Sequence, residues 1–208
     1  MKHLVVLFLA GGLFCWSACQ NHVQSSGAAT DSDTNSLAAK DPASNVFFPV
    51  ADYLETEILY VDSTPLAVKR YIIQNDRTDS GYIQPAEFNG FARAFLLPEF
   101  RDGSFQKNYQ ETSFIDKSTQ SATFTYSTTD KTLPLQRVDV ITVPGARASQ
   151  VKSIYLEKIF RTGDTVVVQK MYWRAGRNFQ ILTQTNVHGK PSVEKQVRVV
   201  WNHDEEGE

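Results

Sequence analysis

Thiols and imidazoles are the side chains best suited to nucleophilic, acid–base and metal chemistry, and this chain carries few of them. The two cysteines are Cys15 and Cys19, and the four histidines are His3, His22, His188 and His203. None of these histidines falls within a predicted helix or strand. A catalytic triad, a histidine general base or a transition-metal site requires an imidazole held rigidly by its neighbours, so the sequence argues against all three.

Other catalytic signatures are also missing from the sequence, since neither a glycine-rich phosphate loop nor a nucleophile elbow occurs. Asp76 and Asp79 are explained as well by turn formation as by catalysis. Carboxylate pairs can still form between residues far apart in sequence, which leaves a hydrolase as one alternative. We therefore expect a protein that is not an enzyme, with no catalytic residues, no cofactor and no metal site.

Cys19 is the exception, because its surroundings point to one specific modification. An apolar run at residues 4–14 follows the single positive charge of Lys2, as in a secretory signal, and is too short to span a bilayer. Small residues at 17 and 18 then lead directly into Cys19. This pattern resembles the lipobox of bacterial lipoproteins, in which the cysteine is acylated and the signal is cut before it. The resemblance implies that Cys19 is the lipid attachment site.

The pattern departs from the common lipobox at Trp16, where an aliphatic residue is usual, while Cys15 is a poor rival because Phe14 precedes it. The alternative is an ordinary secretory signal. Two or more acyl chains hold a protein on a membrane almost permanently. The resemblance thus implies a membrane-anchored protein of the bacterial envelope, in the outer membrane, with the bulk of the chain outside the cytoplasm.

Composition divides the chain into four parts. Residues 1–18 are the expected lipoprotein signal peptide, and residues 19–46 are polar enough to predict a disordered tether. Residues 47–202 contain most of the aromatic residues and predict a single α+β domain without disulfides. Residues 203–208 form an acidic tail.

The first half of the domain has the periodicity of helices. A helix is predicted with Pro49 at its first position, a second one from Pro85 to the residues before Pro98, and a third from Ser104 through Tyr109, with Phe114 and Ile115 as further core anchors. Between the first two helices we expect a strand at 66–74, a polar turn at 75–81 and a short strand at 82–83. The second helix places Phe88, Phe91 and Phe95 on one stripe, which predicts tight packing.

The second half alternates with a period of two. Strands are predicted around 122–126, 138–140, 151–160, 165–173, 178–187 and 192–201, joined by short loops that force an antiparallel meander. We expect an α+β fold in which about six strands curve around two or three N-terminal helices. The strand at 165–173 has apolar residues on both sides, and the last strand presents Val193, Val197, Val199 and Trp201 to the core.

Charge is divided unevenly between the two halves. Residues 47–136 carry 8 Lys/Arg against 12 Asp/Glu, a net −4, whereas residues 137–202 carry 11 against 4, a net +7. A basic sheet could attract phosphate, lipopolysaccharide or an acidic partner, although outward-facing lysine and arginine on strands are usually only solvated.

Taken whole, the layout resembles small envelope lipoproteins of Bacteroidota, most of all in residues 77–83 (RTDSGYI) and 193–201 (VEKQVRVVW). That resemblance implies a location and no mechanism. Three functions stay open: a non-catalytic binding or scaffolding module with an envelope protein as its partner, a carrier of lipid or another apolar ligand in a concave half-barrel-like sheet, and the hydrolase. The expected partners are the membrane, through acyl chains on Cys19, and an unknown protein or apolar ligand, with no nucleic acid.

Overall fold

The computed structural model describes residues 47–143 and 150–202, all of which belong to one compact unit of the chain. In these residues the helices are α1 (Val50–Ser63), α2 (Pro85–Ala92) and α3 (Ser104–Asn108), with 3-10 turns at Arg93–Phe95 and Pro98–Phe100. The strands are β1 (Lys69–Gln74), β2 (Arg77–Tyr82), β3 (Gln110–Asp116), β4 (Ser121–Ser127), β5 (Leu135–Thr142), β6 (Val151–Thr162), β7 (Thr165–Arg174), β8 (Asn178–Val187) and β9 (Val193–Val200).

All nine strands of the described residues form one antiparallel sheet in the order β2-β1-β9-β8-β7-β6-β5-β4-β3. Strands β3 to β9 are a continuous meander, and the β1–β2 hairpin is added beside β9. Gly163 and Gly176 have positive φ angles in the β6–β7 and β7–β8 turns, a conformation that glycine adopts without a steric penalty. The mixed α+β class expected from the sequence is therefore confirmed.

The helices pack on one side of this sheet, which we call the covered face. In α1 the apolar residues Val50, Leu54, Ile58 and Val61 recur at helical spacing and are all buried. They join a core cluster that contains the inward residues of the strands, including Trp173 and Phe179. Burial of this apolar stripe gives α1 its stability, since a helix of 14 residues is marginal alone.

The stripe of phenylalanines around α2 enters the same core. Phe88 and Phe95 are fully buried. The ring of Phe95 lies edge-on to Trp173 and to Phe179, with centroid distances of 5.2 and 5.4 Å, and Phe88 lies 5.8 Å from Trp201. Edge-on aromatic pairs of this kind add to the stability that burial provides. The expected packing is confirmed for these two rings, whereas Phe91 is only partly buried at the margin of the cluster.

A second aromatic cluster packs the start of the domain against β4, on the covered face. Phe47 and Phe105 both contact Tyr126 of β4, at centroid distances of 4.7 and 5.2 Å. The backbone N–H of Phe48 donates to the Tyr126 hydroxyl at 2.9 Å, and the buried Tyr109 hydroxyl donates to the Leu135 carbonyl at 2.7 Å. Both phenols are thus satisfied inside the core.

Four details of the sequence-based expectation are wrong. The described sheet has nine strands and not about six, because β1, β2 and β3 from the first half join the six that were expected. The third helix stops at Asn108, and Phe114 and Ile115 lie exposed on β3. The polar segment 75–81 is mostly strand β2, because Asn75 and Asp76 alone form the turn, both with positive φ. Val193 is exposed rather than buried.

Candidate interaction surface

Side chains alternate across a strand, so the residues between the core positions form a second surface, here called the open face. In β7, Met171 and Trp173 are buried under the helices, while Tyr172 points to the opposite side and keeps 39% of its surface exposed. The register places Tyr172 between Tyr155 of β6 and Gln180 of β8. The sequence places apolar residues on both sides of this strand, and the described helices cover one of them.

The open face carries more apolar surface than a solvated sheet face usually does. Antiparallel sheets with one wet side normally alternate between apolar residues inside and polar residues outside. Here the exposed large apolar side chains at open-face positions are Ile73, Tyr82, Phe114 and Tyr172. Half-buried apolar side chains between them are Tyr71, Ile141, Tyr155, Ile159, Val166, Val168 and Leu182. These apolar side chains are spread over the face from β2 to β3, interspersed with polar ones, and are available to contact another molecule.

Cationic side chains surround the tyrosine at the β1–β9 side of this face. Tyr71 is paired with Arg198 in the register. The Lys69 ammonium lies 4.9 Å from the centroid of the Tyr71 ring, and the Arg198 guanidinium carbon lies 5.8 Å from it. Both distances are within the range of cation–π attraction, which fixes the charged groups above an aromatic surface. Tyrosine and arginine together are the residue types most enriched in binding hot spots.

The middle of the open face holds a polar network. The Tyr155 hydroxyl donates to the Glu157 carboxylate at 3.1 Å, and burial, with help from that carboxylate, raises the pKa of Tyr155 to about 12. The Arg137 Nε donates to both oxygens of Asp139 at 2.9 Å, and the Thr125 hydroxyl donates to Asp139 at 2.6 Å. The hydrogen bond to Asp139 also raises the pKa of Arg137. Tyr155 therefore stays neutral and Arg137 stays charged at neutral pH, and the hydrogen bonds hold the side chains of the network in position.

The charges at open-face strand positions favour the positive sign. The cationic residues are Lys69, Arg137, Arg161, Lys170, Arg174 and Arg198, and the acidic ones are Asp116, Asp139, Glu157 and Glu194. Six positive charges against four negative ones give this face a net +2. The excess agrees with the basic second half of the sequence and favours an acidic partner.

On the covered face, the carboxylate of Glu57 joins α1 to the β7–β8 hairpin. It accepts a hydrogen bond from the backbone N–H of Gly176 at 2.7 Å and one from the indole N–H of Trp173 at 3.3 Å. Burial and the nearby Glu57 charge raise the pKa of Tyr53, which keeps this phenol protonated. One oxygen of Glu57 thus accepts two hydrogen bonds, which explains this carboxylate by a structural role that holds α1 against the hairpin.

One end of the covered face extends beyond the helices. Phe160 and Val193 are exposed there, and the Lys158 ammonium lies 5.2 Å from the centroid of the Phe160 ring. Lys158 is half-buried, and loss of water lowers its pKa, while the negative charge of Glu99 opposes that shift. This end offers an apolar surface beside the Lys158 amine.

The residue that the sequence singles out for chemistry, Cys19, lies outside the described residues, so its predicted acylation stays a prediction. Asp76 sits in the β1–β2 turn, in agreement with turn formation, whereas Asp79 lies within β2 and forms an ion pair with Arg70. Sequence reasoning missed Tyr71 and Tyr155 as surface residues. Their period-two spacing was visible, but the side on which the helices pack was not.

No group of three or more histidine, cysteine, aspartate or glutamate side chains in residues 47–143 and 150–202 could hold a metal ion. Within the same ranges, no helix is both long and apolar enough to cross a membrane. Comparisons of the chain with models of protein families, with curated proteins and with solved structures find no significant match.

Proposed function

We propose that this protein is a lipoprotein of the bacterial envelope, anchored through acyl chains on Cys19, and that its domain is a non-catalytic binding or scaffolding module. The open face carries this proposal. On this face the described residues leave aromatic and aliphatic side chains uncovered, beside cationic groups. Binding interfaces combine these same features, a core rich in tyrosine and arginine within a polar rim.

Folding alone does not explain the open face. The core is complete without it, because Trp173, Phe179 and Val199 are fully buried beneath the helices. In the free protein the exposed ring of Tyr172 is in contact with water. This contact costs free energy, which burial of the ring by a partner would recover. The excess of positive charge then favours an acidic protein surface and raises the rate at which it associates.

The anchor is tested by replacing Cys19. We expect Cys19→Ser to abolish incorporation of a labelled fatty acid and to release the protein from the membrane fraction, whereas Cys15→Ser changes neither result. Two acyl chains bind far more firmly than any single weak contact, so the effect should be close to complete. Unchanged membrane association of the Cys19→Ser protein contradicts the anchor.

The binding surface is tested separately with a photo-crosslinking amino acid placed at one position at a time. Position 172 samples the open face, and position 59 is the matched control, because Leu59 is also exposed but lies on the outer side of α1. We expect a discrete protein adduct in living cells from position 172 and none from position 59. Equal labelling from both positions, or none from either, refutes the assignment of the open face.

A second candidate function, the carrier of an apolar ligand, is favoured by the uncovered end of the covered face. Phe160 and Val193 provide apolar surface there, and Lys158 provides a cationic group for an anionic head group. A crosslinker at position 160 would then capture lipid rather than protein. Mass spectrometry of the adducts from positions 160 and 172 distinguishes the two functions directly.

A further inference from the structure

The two edges of the described sheet are protected to different degrees. An edge strand presents unpaired backbone N–H and C=O groups, which natural proteins usually block. On β2, Asp79 is engaged by Arg70, whose guanidinium also binds Glu87, so charged groups surround that edge. Residues 77–80 of β2 and 110–115 of β3 are all exposed, so the two edges differ in these ion pairs and not in burial.

The exposed residues of β3 include two large apolar side chains. Phe114 keeps 67% of its surface exposed on the open face, and Ile115 keeps 46% on the opposite side. The strand contains no proline, and the register with β4 runs without a bulge from Gln110 to Asp116. A regular seven-residue edge with apolar groups on both sides is a template for another strand.

We propose that the occupant of this edge is β3 of a second copy of the chain, paired antiparallel about Phe114. The charges select this register. Around Phe114 the pairs are Phe114 with Phe114, Ser113 with Ile115, Thr112 with Asp116, and Glu111 with Lys117. Centring the pairing on Phe114 is what brings Glu111 opposite Lys117, the residue that directly follows β3.

This register satisfies the rules for antiparallel pairs on both sides of the strand. Two Glu111–Lys117 pairs, related by the two-fold axis, place opposite charges across from each other, and the aromatic pair lies on the axis itself. Glu111 is exposed on β3, opposite Tyr126 of β4. A single seven-residue strand buries less surface than a standard interface, so the dimer is transient, with a dissociation constant in the micromolar range.

The register is tested by disulfide formation in the full chain carrying Cys15→Ser and Cys19→Ser, so that an introduced cysteine is the only thiol. The chain is kept in a mild non-ionic detergent and oxidised briefly. In the proposed register the Cβ atoms at position 114 lie about 4.5–5.5 Å apart, close to disulfide geometry. Those at position 113 lie diagonally, about 7–8 Å apart.

We therefore expect rapid dimer formation by Phe114→Cys and little by the control Ser113→Cys. A mixture of Ser113→Cys and Ile115→Cys chains should crosslink, because these two positions face each other. Absence of the Phe114→Cys dimer, or equal yields from positions 113 and 114, overturns the proposal.

Charge reversal provides a test that involves no thiol. In analytical ultracentrifugation of the same cysteine-free chain, Lys117→Glu should weaken dimerisation about tenfold, because two favourable pairs become repulsive. Adding Glu111→Lys restores opposite charges and should recover the original affinity. A Lys117→Glu chain that dimerises as strongly as its parent refutes the register. Neither test depends on acylation or on the open face, so failure here leaves the proposed function to its own experiments.

Discussion

Phe95 provides the most direct test of how the helices are joined to the sheet. The side chain is fully buried and packs edge-on against Trp173 and Phe179, both of which are buried themselves. Replacement by alanine removes the ring and both aromatic contacts and leaves a cavity between α2 and the sheet. Substitutions of this kind cost about 3–5 kcal/mol in free energy of unfolding.

Such a loss is large compared with the stability of a typical domain, which is about 5–15 kcal/mol. For a domain of this size, each kcal/mol lowers the melting temperature by roughly 2–4 °C, so the Phe95→Ala protein should melt about 6–20 °C below the parent. Urea unfolding followed by tryptophan fluorescence measures the same change, since Trp173 is in direct contact with Phe95.

Phe91→Ala is the matched control, because Phe91 lies nearby in α2 but is only partly buried. The sequence alone places this ring on the same tightly packed stripe as Phe88 and Phe95. Its position at the margin of the core reduces the expected cost to about 1–2 kcal/mol, in proportion to the area removed from water. Equal destabilisation by the two variants, or a change below about 1 kcal/mol for Phe95→Ala, contradicts the described packing.

Two further predictions concern polar groups. Glu57→Ala should cost about 2–3 kcal/mol, because it leaves the N–H groups of Trp173 and Gly176 without an acceptor, while the control Glu55→Ala, which removes an exposed ion pair, should cost less than about 1 kcal/mol in urea unfolding. Hydrogen bonds from Ser118 lower the pKa of Asp116 to about 2, below its value in an unfolded chain. Its contribution to stability is therefore present above about pH 4 and is lost as the pH falls towards 2, so Asp116→Asn should flatten the stability profile in that window; an unchanged profile refutes this.

The meander was predictable from sequence because its signals are local. In β7, Met171 and Trp173 alternate with Tyr172, and Gly163 and Gly176 mark the turns at both ends of the strand. The phenylalanines in α2 and in the 3-10 turn after it are equally clear, since helical spacing alone puts Phe88 and Phe95 on one side. In each of these places propensity, periodicity and turn chemistry indicate the same structure.

The edges of the sheet were not predictable, because pairing with a neighbour overrides weak local preference. Residues 77–81 (RTDSG) are polar and contain few strand formers, yet the tight turn at Asn75 and Asp76 brings them against β1. Strand β3 was not recognised in the sequence because its two large apolar residues, Phe114 and Ile115, are adjacent. Adjacent apolar residues fit a helix anchor as well as a strand with both sides exposed, and the hairpin with β4 decides between them.

The open face and the β3 edge meet at Phe114, and this connects the two proposals. Antiparallel pairing of identical edges places the two-fold axis perpendicular to the sheet, so both open faces lie on the same side of the joined sheet. A partner that contacts Tyr172 in one copy could then contact the other copy as well. Two weak sites that are held together bind a partner more strongly than either site alone, because binding at the first site raises the effective concentration of the partner at the second. Anchoring through Cys19 would confine the chains to a membrane plane and favour the pairing further, so a transient dimer is sufficient for a scaffold.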